Sequence, residues 1–192
     1  MELLLASKSP RRRQLIGSLG WPVRFVDIDC DESRCDKCPS ELRAERISLL
    51  KAQAFDASTL RADEVLVTAD TVVALGDRVL GKPCNDAEAA EMLRSLSNEC
   101  HRVYTGVTLV WQGGQKSFTA TTRVYFRALS DDEIHYYIKN YQPFDKAGAY
   151  GVQEWIGMVG ISRIEGCYYN VMGLPLARLY KELTCIMPLL AL

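Results

Sequence analysis

At 192 residues the chain has the length of one domain or two tightly joined lobes, at about 100–200 residues per domain. Its composition, 48% hydrophobic and 24% charged, excludes disorder, collagen-like repeats and coiled-coil arrays. Lys and Arg number 23 against 24 Asp and Glu, a net charge of -1, so nucleic acid is not expected as a partner and any phosphate must be held locally.

In chain order, Glu2 to Ala6 is a short apolar strand. Ser9 and Pro10 then supply an N-cap and a first-turn proline for a helix from Pro10 to about Gly20. A second helix fits Glu41 to Phe55. Val65 to Leu75 is β-branched and reads as a buried strand, turned back at Gly76-Asp77 through Val79 and Leu80. Asn85 with Glu88 is a capping-box spacing that opens a helix to about Leu96. Val103 to Trp111 and Lys116 to Arg127 form strands about Gly113-Gly114, and Ser130 with Glu133 opens another helix. A Gly- and aromatic-rich loop spans Tyr141 to Gln153, Met158 to Ile164 is strand-like, and Pro175 begins a final amphipathic helix to about Leu183. Hairpins alongside crossovers predict a mixed α/β fold of the α+β kind.

The apolar start, Leu3 to Ala6, is too short for a signal-peptide core. The longest apolar stretch contains Asp70 and falls short of the about 20 residues that span a bilayer. A cytoplasmic protein without membrane attachment is therefore expected, with its seven cysteines as thiols. Cys35 and Cys38, with Cys30 upstream, have no second pair and no histidine at metal-ligand spacing, and they lie in a polar loop rather than at the helix start of a βαβ unit, so they read as loop thiols rather than a zinc site or a redox pair. His101 and His135 read as structural.

Three places break the local rules. Arg11, Arg12 and Arg13 crowd the first turn of a helix, where a cation costs roughly 0.3–1 kcal/mol. Either the turn is merely solvated, or an anion sits on the amides and an arginine fork; at most two of the three can face one ligand. Lys51 falls inside the stripe Ile47, Leu50, Ala54, so it must snorkel or meet a carboxylate. Asp70 is the one charge within an otherwise apolar strand and needs a partner, a proton or a metal. Lys82 follows the next strand and can return near Asp70. Asp27, Asp29, Asp31 and Glu32 are oxygen donors of the kind that suit Mg²⁺ or Mn²⁺, most of them solvated. Cations for phosphates, hard carboxylates and one buried Asp describe a phosphate-ester or anhydride hydrolase. No P-loop and no Gly-x-Gly-x-x-Gly is present.

The motifs Ser7-Lys8-Ser9-Pro10-Arg11-Arg12, Ala69-Asp70-Thr71-Val72-Val73, Gly81-Lys82-Pro83, Asp145-Lys146-Ala147-Gly148-Ala149-Tyr150-Gly151-Val152-Gln153 and Tyr169-Asn170-Val171-Met172-Gly173-Leu174-Pro175 resemble, in order, those of the Maf family of nucleoside triphosphate pyrophosphatases. The resemblance implies a two-lobed fold related to the inosine-triphosphate pyrophosphatases, with a long central sheet and a cleft between the lobes. It implies metal-dependent cleavage of a nucleoside triphosphate to monophosphate and pyrophosphate. Asp70 would be the proton acceptor, and Arg11, Thr71 and Gln153 the residues linked to substrate choice. Glu32 would be a metal contact, and Lys51 matches a family lysine. With Ser9, Arg12 and Lys82, these complete the expected substrate, catalytic and Mg²⁺ or Mn²⁺ site. A tight metal ligand is a poor free base, so Asp70 is left with either role.

The full Asp145 to Gln153 form resembles the branch acting on dTTP and UTP rather than on 7-methyl-GTP. Gln142 stands where the family has glutamate, and Asn98-Glu99 where it has a glycine-containing turn. A nucleotide-binding division regulator without turnover is the rival from another class. For it the apolar tail, Ile186 to Leu192, would be a partner surface or a homodimer contact.

Overall fold

The computed structural model describes residues 1–188. Its seven-stranded sheet has the order β2-β1-β3-β5-β6-β7, with β4 paired to β3. The strands are β1 (Glu2–Ala6), β2 (Val23–Phe25), β3 (Glu64–Leu75), β4 (Arg78–Leu80), β5 (Cys100–Trp111), β6 (Gly114–Phe126) and β7 (Ile161–Glu165). Strand β1 is parallel to both β2 and β3, while β4 and β7 are antiparallel to β3 and β6. The helices are α1 (Pro10–Gly17), α2 (Ser40–Gln53), α3 (Asp86–Leu96), α4 (Asp131–Tyr141), α5 (Trp155–Gly160), α6 (Tyr168–Met172) and α7 (Leu176–Ile186). The fold is thus the mixed α/β kind that the alternation of strands and helices predicts.

The chain divides into two units, the first comprising 1–70, 105–120 and 173–192, the second 71–104 and 121–172. In the first, β1 lies between two parallel neighbours, so Leu3, Leu4 and Leu5 are all buried and the strand reads as an unbroken apolar run. Its core gathers Leu4, Ala6, Ala52, Leu60, Leu66 and Val110. Helix α2 buries Ala44, Ile47, Ser48 and Ala52, whereas Leu50 is half-buried and Ala54 exposed. The buried face is therefore turned from the expected stripe toward small residues. The cause is a backbone-to-backbone approach: a Cβ on Gly106 of β5 would stand 2.2 Å from the amide nitrogen of Glu45. Buried Ser48 and Thr108 share a 2.8 Å hydrogen bond across this contact. Helix α7 buries Leu179, Leu183 and Ile186. Ile186 of the expected partner tail is thus core, and residues 189–192 of that tail lie outside the described residues.

The second unit packs α3, α4 and α5 around Leu93, Leu96, Phe126, Tyr137 and Ile156. Here one expectation fails. Met158 to Gly160 belong to helix α5, and the strand starts only at Ile161. Glu154 and Gly157 close the turn, with the Gly157 amide donating to the Glu154 carbonyl at 2.9 Å. Among the described residues no helix is long and apolar enough to cross a membrane.

Candidate active site

Ser9 caps α1 from an extended conformation, and its hydroxyl accepts from the Arg12 amide at 3.4 Å. The arginine run is divided among different tasks. Arg13 donates to the Ser7 carbonyl at 3.0 Å and lies over the Phe25 ring, away from a shared ligand. Arg12 donates through Nε to the Gly173 carbonyl at 2.8 Å, which ties α1 to the last family-like motif. Burial lowers the Arg12 pKa; Asp70 opposes that, Arg11 adds to it, and Glu32 opposes it. Arg12 therefore shares an electrostatic neighbourhood with both carboxylates.

Lys51 joins them. Its Nζ lies 3.0 Å from Asp70 Oδ1 and 3.0 Å from Glu32 Oε1. Strand β3 is buried from Glu64 to Ala69, and Asp70 and Thr71 open its wall to a half-buried state. Lys51 and Asp70 are each 16% exposed, whereas Glu32 is 52% exposed. The lysine in the apolar stripe is thus a paired cation rather than a snorkelling one, and it supplies the partner that Asp70 requires. Glu32 begins a one-turn helix, Glu32–Cys35, whose cap Asp31 accepts from the Ser33 amide and hydroxyl. Those bonds hold the Asp31 carboxyl below its usual range. Asp27 and Asp29 are exposed. Among the described residues no group of three or more His, Cys, Asp or Glu could hold a metal.

In the second unit, Thr71 is half-buried and Lys82 is exposed just beyond β4. The Asp145 to Gln153 loop is fixed by a network that sequence reasoning missed. Buried Lys146 pairs with Asp145 at 2.7 Å and Glu154 at 3.1 Å. Tyr137 of α4 donates to Glu154 and accepts from the Gly151 amide at 3.0 Å. Burial and the Glu154 carboxylate push the Tyr137 hydroxyl far up, so it stays protonated. Ala149 takes a left-handed φ of 58°, a conformation that costs a residue with a side chain roughly 1–2 kcal/mol. Gln153 follows, its Oε1 buried without a hydrogen-bond partner. The loop has no periodicity to betray a buried lysine; the lone signal was a cation among apolar and aromatic residues. An open cavity of about 630 Å³ between α3 and α4, lined by Arg94, His135 and Lys139 among others, includes none of the predicted site residues.

The Ser-Pro-Arg helix start, the Asp70–Lys51–Glu32 cluster and the tied Asp145 loop are the features the chain brings to a comparison with known proteins. A family model described as Maf-like protein matches residues 2–186. This chain belongs to the Maf family. A relative from Bacteroides thetaiotaomicron named dTTP/UTP pyrophosphatase is 51% identical over 95% of this chain and 94% of its own. Maf relatives of the same name from Phocaeicola vulgatus and Porphyromonas gingivalis are 48% and 43% identical, each over 95% of this chain and over 94% and 92% of their own. A Staphylococcus aureus Ham1 protein structure has a TM-score of 0.53 at 16% identity, covering 96% of this chain and 98% of its own. At that identity the likeness is one of fold.

Proposed function

We propose that this Maf-family protein hydrolyses dTTP and UTP to the nucleoside monophosphate and pyrophosphate. The observation that carries the chemistry is one ammonium, Lys51, held at 3.0 Å by two carboxylates beside the half-buried Arg12. The near full-length identity to relatives named dTTP/UTP pyrophosphatase supports the substrate.

The donor set fits Mg²⁺ or Mn²⁺ in one way. Two carboxylates that share a single ammonium are hard oxygen donors within reach of one another. They are too few for an all-protein cage and suited to an ion that keeps its waters and binds substrate phosphates. Asp70 and Glu32 would hold it. When bound, such an ion supplies Lewis-acid stabilisation of charge on the phosphoryl oxygens.

The chain's own residues do the rest. Ser9 presents the α1 amides, and Arg11 and Arg12 hold phosphate oxygens. Lys51 and Lys82 offset the charge that grows as water attacks the α-phosphorus and the bond to pyrophosphate breaks. Asp70 takes the water's proton through a carboxylate oxygen. Thr71 and Gln153 select the nucleotide, and the unpartnered Gln153 Oε1 is an acceptor awaiting a donor.

The test is pyrophosphate release from dTTP, UTP, CTP, GTP and 7-methyl-GTP with Mg²⁺ or Mn²⁺, for wild type and Asp70→Asn. Release from dTTP and UTP, lost in the variant and in EDTA, is the expected result. Activity on 7-methyl-GTP alone would overturn the substrate. Binding without release would favour the regulator, and full activity in EDTA would remove the metal. Manganese titration of Asp70→Asn and Glu32→Gln then assigns Asp70: retained Mn²⁺ binding with lost turnover identifies the proton acceptor.

A further inference from the structure

The three cysteines near Glu32 are not explained by nucleotide hydrolysis. Cys35, the last residue of the Glu32–Cys35 turn, is buried, and Cys38 is half-buried. The Cys38 amide donates to the Cys35 carbonyl at 3.0 Å, closing a tight turn. Such a turn brings its end Cα atoms within about 7 Å, and disulfides form at Cα separations of about 4.4–6.8 Å. Cys38 is near enough to act on the Cys35 thiol, adding to the effect of burial. Asp36, between them, is ion-paired to Arg43 of α2, which fixes the turn on the helix that carries Lys51. Burial pushes the Cys35 thiol up, while Arg43 and Arg46 pull it down. The less buried Cys38 is therefore the entry point and Cys35 the resolving thiol.

We propose that Cys35 and Cys38 form an oxidation site that a peroxide converts to a disulfide, loosening the hold of Glu32 on Lys51. The Cys38 thiol attacks a peroxide oxygen, giving a sulfenic acid and one water. Cys35 then attacks the Cys38 sulfur, forming the S–S bond and releasing a second water. The sulfur pair loses two electrons and the peroxide gains them. Glu32 heads the same single turn that ends at Cys35, so a bond pulling Cys35 toward Cys38 acts on the backbone that aims Glu32.

Trypsin reads this out directly, because Arg34 precedes Cys35 and Lys37 precedes Cys38. After hydrogen peroxide and alkylation of remaining thiols, the expected product is peptide 35–37 joined to peptide 38–43, released by dithiothreitol and absent in Cys38→Ser. A link from Cys30 instead, or free Cys35 and Cys38 at peroxide levels that oxidise Cys84, overturns the site. The second arm rests on the proposed function: oxidised wild type should lose about tenfold in turnover, the scale of a disturbed ligand support, and regain it on reduction. Cys38→Ser should keep its turnover through peroxide. A formed cross-link with unchanged turnover refutes the control over Glu32. The cross-link is read whether or not the protein hydrolyses any nucleotide, so failure of the activity leaves the two separable.

Discussion

Replacing Asp70 by asparagine keeps the side-chain shape and removes one of two charges that Lys51 faces. Glu32 still pairs the ammonium, so Asp70→Asn should melt within a few degrees of wild type. Its turnover should fall by about 10²–10⁴-fold, the usual worth of a general base. Glu64 makes the opposite case. It is buried, yet two arginines reach it, Arg24 at 2.6 Å and Arg61 at 3.0 Å. Burial would raise its pKa, but the Arg61 amide and both guanidinium groups overcome that and lower it. Its stabilising contribution is present above the ordinary carboxylate range and is lost as pH falls through the folded value. Glu64→Gln should cost about 1–3 kcal/mol in denaturant melts and leave turnover alone. His101 acts at milder pH. Its Nε2 meets the Tyr150 hydroxyl at 2.7 Å, its Nδ1 is buried without a partner, and burial lowers its pKa to about 4. The unfolded chain takes up that proton near pH 6.5, so folding stability should fall from there down to about 4. The Tm of His101→Gln should lack this component of the slope. Asp70 and Lys51 were legible because each breaks the period of its element. Glu64 was not, because a charge at a strand's first position breaks nothing, and Lys146 sits in a loop with no period to break.

At the scale of elements, helix starts were the most readable features, since the cap is a local bargain between neighbouring residues. Ser130 and Glu133 exchange the two bonds of a full capping box, and with Arg127 this holds the Glu133 carboxyl down to about 2. Ser130→Ala should cost about 1 kcal/mol in thermal melts. At Asn85 the side chain caps the Glu88 amide, but the Glu88 carboxylate turns instead to the Cys84 amide at 2.8 Å. The spacing signalled the helix without specifying the second bond. The run from Met158 misled because a short apolar segment has no period to tell one turn of helix from a strand. The turn is also packed tightly against the loop just before it: a Cβ on Gly157 would stand 2.1 Å from the Val152 carbonyl oxygen. Gly157→Ala should accordingly cost about 1–3 kcal/mol, the range for an overpacked site. Asn98 completes the picture, since its φ of 59° is the left-handed conformation. Asparagine tolerates that conformation better than most residues with a side chain.

For the whole molecule, length and alternation were enough to predict a mixed α/β fold. The partition into units was beyond them, because β3, β5 and β6 each contribute residues to both and no linker composition marks the division. Charge gives the prediction at this scale. With a net charge of -1, the protein offers a nucleoside triphosphate no long-range attraction, and recognition falls to cations at contact distance. Screening acts mainly beyond the Debye length of about 8–10 Å at physiological salt. The kcat/KM for dTTP should therefore change less than about threefold between 50 and 200 mM salt, well below what a strongly steered encounter shows. A steeper fall would mean that a field wider than the local cluster guides the substrate.

The close passage of β5 beneath α2 has a consequence for how this protein can vary. Gly106 leaves no volume for even a methyl group, and the helix above it carries Lys51. In a saturation library, position 106 should be nearly silent, with every replacement depleted. Exposed Leu42 and Arg46 of the same helix should accept many. Such a tolerance profile would mark, without any assay of catalysis, the face on which this lineage is free to drift.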